Sequence, residues 1–180
     1  MKQIFKISIT TLMVFGLLFA LACSKSDKVK LKVGQAYQGG IIAYLDATGK
    51  HGLIAAPEDQ SPGIRWYNGT YIATGATGTT IGTGKDNTAT IIEKQGPGNY
   101  AAQICRNLTL NGYSDWFLPS KDELNELYKN KELIGGFADE WYWSSSEVSN
   151  GIVWLQSFIN GAQSNVYKNV THRVRAVRAF

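Results

Sequence analysis

The elements legible in this sequence compose an α+β domain, and three observations carry that reading. Two apolar, β-rich runs, Gly40–Leu45 and Gly52–Ala56, flank a turn-rich connector. The segment Leu118-Pro119-Ser120-Lys121-Asp122-Glu123-Leu124 carries the start signature of a helix. About the last forty residues alternate strand-like runs with turn signals.

The amino terminus carries a separate signal. Lys2 and Lys6 precede Ile7–Leu21, an uncharged and mostly apolar stretch. It is shorter than the about 20 apolar residues that a membrane-crossing helix needs. A positive start, a short apolar core and a small residue at its end describe a secretory signal. Ala20-Leu21-Ala22-Cys23 resembles the lipobox of bacterial lipoproteins, with Ala20 where Leu is usual. The expected organisation is a signal peptide over 1–22, a lipidated Cys23 with a polar tether over 23–33, and a domain over 34–180. The competing reading is ordinary secretion with an incidental cysteine. Two or more acyl chains anchor a protein stably, at about 0.8 kcal/mol per buried methylene. The lipid bilayer is therefore an expected partner, and the outer membrane of a cell envelope the expected location.

Without Lys2 and Lys6, the 18 basic residues fall to 16 against 14 acidic ones, a net charge of only +2. No basic run is interleaved with aromatics, so no nucleic-acid partner is expected. If Cys23 is lipidated, Cys105 has no partner for a disulfide, and a buried thiol is its expected fate.

Along the domain, Gly40–Leu45 and Gly52–Ala56 read as a hairpin around Asp46–His51. Trp66 and Tyr67 follow, then Asn68–Thr90, rich in Gly and Thr, which reads as a long loop of the kind that often carries function. Tyr100–Leu108 reads as a short helix with Ala101, Ile104, Cys105 and Leu108 on one stripe. Ser120 with Glu123 three residues on is a capping box, opening a helix to about Asn130. Strands are expected over Trp141–Ser145, Ile152–Ile159, Ala162–Tyr167 and Arg173–Phe180, with a bulge near Ala176. Asn150-Gly151 and Asn160-Gly161 stand where tight turns belong.

Three segments and the ending resemble a known family. They are Gly39-Gly40-Ile41-Ile42-Ala43-Tyr44-Leu45-Asp46, Asn111-Gly112-Tyr113-Ser114-Asp115-Trp116-Phe117-Leu118-Pro119-Ser120, Tyr142-Trp143-Ser144-Ser145-Ser146-Glu147 and Val174-Arg175-Ala176-Val177-Arg178. In this order they resemble the DUF1566 family, also described as the Lcl C-terminal domain, over nearly all of 34–180. The resemblance implies a variant of the C-type lectin-like fold, related to formylglycine-generating domains. It further implies a small twisted antiparallel sheet, two helices and long loops. Members are mostly exported, and one that ends a collagen-like bacterial adhesin is associated with glycosaminoglycan binding. Read as residues alone, Trp116, Phe117, Trp143 and Trp154 are core material. Asp115 reads as a cap or turn residue.

No catalytic constellation stands out. His51 and His172 are the only histidines, far apart and outside any metal-ligand pattern, so no metal is expected. Gly78–Lys85 lacks phosphate-loop spacing, and no Gly-x-Ser-x-Gly elbow occurs. Formylglycine-generating enzymes use a pair of cysteines, whereas Cys105 stands alone beyond Cys23. Asp86, Asn87 and Thr88 do not make a calcium pattern. The expectation is a module that is no enzyme and holds no cofactor. Its expected ligand is a glycan, another surface polymer, or an envelope or host surface protein. The alternative is a structural lipoprotein contacting other envelope proteins. Trp66, Tyr67 and Tyr71 are candidate aromatic faces, with core packing the competing role for Trp66. Related C-type lectin-fold proteins place variable contact residues near the carboxy terminus. That implies Gln163, Asn165, Lys168 and Asn169 as ligand-contacting residues here.

Overall fold

In a computed structural model, which describes residues 30–180, the polypeptide builds two sheets with helices between their strands. The signal peptide over 1–22, the Cys23 lipidation site and the tether up to residue 29 lie outside the described residues. Leu31 and Val33 already pack against the core. Among the described residues no helix is long and apolar enough to cross a membrane.

The first sheet has the order β1-β2-β3-β9, from β1 (Ala36–Tyr37), β2 (Gly40–Leu45), β3 (Gly52–Ala55) and β9 (Val177–Ala179). The second has the order β4-β8-β5-β6-β7, from β4 (Ser61–Arg65), β5 (Trp141–Glu147), β6 (Ile152–Ser157), β7 (Gln163–Tyr167) and β8 (Thr171–Val174). Between β4 and β5 run α1 (Gly84–Gln95), α2 (Ala101–Arg106), α3 (Lys121–Lys129) and α4 (Lys131–Ile134). The domain is thus α+β, with more helices than the two expected. The β2–β3 hairpin forms as anticipated, its turn tied by Asp46 Oδ1, which accepts from the Thr48 amide at 3.1 Å and hydroxyl at 2.7 Å. The Asn160-Gly161 turn is also found, with Gly161 at φ +80°.

The capping box of α3 is present, and its acid does more than cap one helix. Ser120 Oγ accepts from the Glu123 amide at 3.3 Å, and Glu123 Oε2 accepts from the Ser120 amide at 2.7 Å. The same buried carboxylate takes the Gly82 amide at 2.8 Å, just before α1. A Cβ on Gly84 would stand 2.1 Å from Glu123 Oε2, so glycine is required where α1 begins. One acid therefore satisfies amide donors at the starts of two helices, donors that would otherwise be orphaned. Burial pushes its carboxyl above the usual range, against these hydrogen bonds.

Three expectations are corrected. The long loop over Asn68–Thr90 ends early, because α1 begins at Gly84. Its buried stripe is Gly84, Asn87, Thr88, Ile91 and Gln95, helical in spacing but mostly polar, so it escapes a search for apolar periodicity. The final strand is two strands in different sheets, β8 and β9, which part at Arg175-Ala176, where a bulge was expected. Arg175 causes the break. Its fully buried guanidinium donates to Asp59 Oδ1 at 2.8 Å and to the carbonyls of Ala56 (3.0 Å), Pro57 (3.2 Å), Gly135 (3.2 Å) and Gly136, and lies 4.0 Å from the Phe137 ring centre. Finally, β4 was not anticipated; Pro62 and Gly63 sit in it because it is an edge strand.

The core contains Trp66, Trp116 and Trp143, all fully buried, with Tyr100, Ile42, Ile54 and Cys105. Cys105 is the buried thiol expected of it, and burial pushes its ionisation far upward. Trp154, expected in the core, is only partly buried on β6, with the Lys121 ammonium 5.2 Å from its ring centre.

Candidate functional site

The residues that carry the family resemblance lock the scaffold together. Asp115 is neither cap nor turn residue but an ion-pair partner: Arg178 Nε meets Oδ1 at 2.7 Å and Nη2 meets Oδ2 at 3.0 Å, while the guanidinium lies over Tyr113 at 4.1 Å. Arg178 thereby holds the Asp115 carboxyl below its usual range. Ser145 N donates to Pro119 O at 2.7 Å, Ser146 Oγ donates to Gly78 O at 2.7 Å, and Ser144 Oγ donates to Trp154 O at 2.8 Å. These side chains are fully buried, so each satisfied polar group holds two segments together.

Glu147 and Lys168 form the tightest such link. Both side chains are buried and hydrogen-bonded to each other. The Glu147 carboxylate also accepts the Thr74 amide at 2.9 Å and the Gly75 amide at 2.8 Å, and Lys168 Nζ donates to Ile72 O at 2.9 Å. Burial alone would raise the Glu147 carboxyl, but Lys168 and the two amides bring it below its usual range. Burial lowers the Lys168 ammonium, with Glu147 opposing. The pair clamps residues 72–75 to the sheet, so the Gly- and Thr-rich segment is held at its base.

That clamp overturns one expected ligand contact. Lys168 is 0% exposed and cannot reach a ligand. Its ammonium sits 4.7 Å from the centre of the Trp66 ring, and Trp66 is likewise 0% exposed, its Nε1 donating to Ser144 O at 2.8 Å. Trp66 therefore takes the packing role, because an indole with its N–H satisfied gains most by full burial. Gln163 is half-buried and bound to Lys121 O at 3.2 Å, which docks the start of α3 on β7. Asn165 and Asn169 are exposed.

Tyr71, another of the expected contact residues, lies at the surface. It is 45% exposed and stacks on the largely buried Tyr67, ring centres 5.0 Å apart and tilted by 32°. Tyr167, 61% exposed and unremarked in the sequence, pairs across the ladder with Ile152, next to the Gly151 on which the Tyr71 ring packs. Partial burial, with Tyr67 adding to it, raises the Tyr71 hydroxyl. The Tyr71 ring also packs 3.7 Å from the position a Gly151 side chain would take. Tyr71 and Tyr167 thus form an exposed aromatic ledge on one rim of the five-stranded sheet. The signal in the sequence was the outward alternation of Tyr167 in a strand ending at a turn.

A wider concavity lies elsewhere. It encloses about 620 Å³ between Pro57–Gln60 and Ile104–Leu110. Most of its polar groups already have partners. Asp59 takes Tyr142 Oη at 2.8 Å, Arg173 at 3.1 Å and Arg175 at 2.8 Å. Gln60 accepts from the Ala176 amide and donates to Glu58 O at 2.7 Å. Burial and Asp59 push the Tyr142 hydroxyl up to about 12. This groove is an outer wall of the Arg175 crossing. Among the described residues no three His, Cys, Asp or Glu side chains converge as metal ligands.

No curated protein matches the chain. The Lcl C-terminal domain model matches residues 56–178, a span holding the Asp115–Arg178 and Glu147–Lys168 pairs, the Arg175 crossing and the ledge. With more than half of its length matched, the chain belongs to the Lcl C-terminal domain family.

Proposed function

We propose that the chain is a non-catalytic, cell-envelope-anchored binding module that recognises a glycan or another surface polymer. The tyrosine ledge is the observation that supports this reading. Tyrosine offers a large, flat, half-polar contact face at low conformational cost. Tyr71 is exposed yet backed by Tyr67, so its face is held ready. The exposed amides of Asn165 and Asn169, on and just after β7, add groups that both donate and accept hydrogen bonds. Anchoring to the outer membrane through an acylated Cys23 belongs to the same reading and rests on the Ala22-Cys23 sequence.

A glycan array probed with the full chain tests it, beside the double variant Tyr71→Ala/Tyr167→Ala. Wild type should give saccharide hits, and the variant should lose about tenfold or more in affinity, as for paired aromatic anchors. Both positions are exposed, so the urea midpoint should move little. Hits unchanged in the variant would remove the ledge from the site. An array without hits would favour the alternative, a structural lipoprotein contacting other envelope proteins.

A further inference from the structure

A cleft of about 190 Å³ opens on the five-stranded sheet, lined by Trp141 of β5, Leu155 of β6, Ser164, Asn165 and Val166 of β7, and His172 of β8. The register brings these residues together. Trp143 pairs with Leu155 and Leu155 with Ser164, so the three form one row across the sheet. Trp141 lies two residues from Trp143 and shares its face. The His172 ring meets the Trp143 ring edge-on, centres 4.6 Å apart.

Two features separate this cleft from the larger groove. No charged side chain lines it. Its polar groups are also free: among the described residues the His172 imidazole, the Ser164 hydroxyl and the Trp141 indole N–H have no hydrogen-bond partner. By contrast Trp66, Trp116 and Trp143 each donate to a carbonyl. A neutral imidazole offers one donor and one acceptor, and a hydroxyl offers both. An ion entering here would find no Asp, Glu, Lys or Arg side chain in the lining to pair with, and a wholly apolar group would strip these polar atoms of water without replacing it. A ring with C–H groups on its faces and hydroxyls at its edge suits both the apolar floor of Leu155 and Val166 and the polar rim. The volume admits one ring, not a chain.

We infer that this cleft is a binding subsite for a single uncharged sugar ring, with His172 and Ser164 hydrogen-bonding its hydroxyls and Trp141 packing against its C–H face. The inference rests on the glycan reading above and adds a second point of contact. Neither Tyr71 nor Tyr167 lines the cleft, so substituting the tyrosines leaves its lining intact and the two sites can be broken separately.

Saturation-transfer difference NMR on the full chain tests it, with methyl α-glucopyranoside, methyl β-galactopyranoside and N-acetylglucosamine as probes. At least one probe should receive saturation from wild type. The effect should fall about fivefold in His172→Phe, which fills the space without ring nitrogens, and less in Ser164→Ala. It should persist in Tyr71→Ala/Tyr167→Ala. If His172→Phe does not fold, His172→Gln keeps a donor and an acceptor and must retain the effect, leaving Ser164→Ala to show the loss. Silence from every neutral probe, or full saturation by folded His172→Phe, overturns the subsite. Loss confined to the tyrosine variant overturns it too, while leaving the ledge as the glycan site. Glucuronate saturating as strongly as the neutral probes overturns the uncharged class.

Discussion

The groove beside Asp59 and the ledge around Tyr71 differ most in what their polar groups are doing. In the groove, Asp59 is shared by Arg173, Arg175 and Tyr142, and both ends of Gln60 are engaged. At the ledge and the His172 cleft, aromatic faces, amides, a hydroxyl and an imidazole stand free. A buried polar group already satisfied contributes to folding, whereas one left open at a surface is available to a ligand. The contrast also divides the chain by motif: the residues that identify the family sit mostly on the satisfied side.

The sharpest way to break this contrast is at Arg175. Arg175→Met should leave Asp59 short of one guanidinium and strip several buried carbonyls of their donor, costing about 3–5 kcal/mol. That is a large share of a typical domain's stability of about 5–15 kcal/mol. A urea titration reads it. A loss below about 1 kcal/mol would mean that the groove's ion cluster does not hold the two sheets together.

Next in size is the clamp under the ledge. Lys168→Met leaves Glu147 buried without its cation, again costing about 3 kcal/mol or more. The double variant Glu147→Gln/Lys168→Met should recover much of that loss, because no uncompensated charge remains. Hydrogen exchange at the Thr74 and Gly75 amides should quicken in the single variant. The folded state holds the Glu147 carboxyl below its usual 4.5. Its stabilisation is therefore complete above that value and fades as pH falls through the lower folded value. Protection of these amides, corrected for the intrinsic rate, that does not fall on acidification in wild type, or that is unchanged in Lys168→Met, would detach the clamp from the loop.

The same two regions show what the sequence could reveal. Helix α3 was legible because its cap is local, Ser120 to Glu123, and its apolar residues keep helical spacing. Helix α1 was not, because Asn87 and Thr88 are buried by distant partners: Asn87 bonds Gly78 O at 2.6 Å, and Thr88 exchanges hydrogen bonds with Leu118. Nothing within α1 announces those contacts. The break between β8 and β9 was visible only as broken alternation, since what decides it is Arg175 reaching Asp59 across the fold. Lys168 illustrates the reverse error. A lysine beside a turn is normally solvated, and only the distant Glu147 explains its burial. Tyr71 and Asn165 were legible as surface residues, while the ledge itself depended on the β6–β7 register that sets Tyr167 opposite Ile152, beside the Gly151 on which Tyr71 packs.

A smaller effect, about 1 kcal/mol, is expected at Ser120→Ala, which removes the side-chain oxygen from the Glu123 amide. Glu123 keeps its bonds to Ser120 N and Gly82 N, so the two helix starts should stay joined. A loss well above about 2 kcal/mol would exceed an ordinary cap. It would show that the hydroxyl's further bond to Thr80 O, at 2.9 Å, matters as much as the cap itself.

The smallest effect lies at His172 and sharpens the contrast from the ledge's side. Burial pushes this imidazole below its usual 6.5, with the negative charge of Glu140 opposing. The unfolded chain therefore takes up a proton at a higher pH than the folded one. Stability from the neutral ring is complete above 6.5 and declines as pH falls through the lower folded value. A comparison of urea midpoints at about pH 7.5 and pH 5.5 should show a modest fall in wild type that is reduced in His172→Phe. Any sugar held by the acceptor nitrogen should weaken over the same window, because the imidazolium has no acceptor. A wild-type midpoint flat across this range, or a fall of equal size in His172→Phe, would show that the ring is not held neutral by its place beside Trp143.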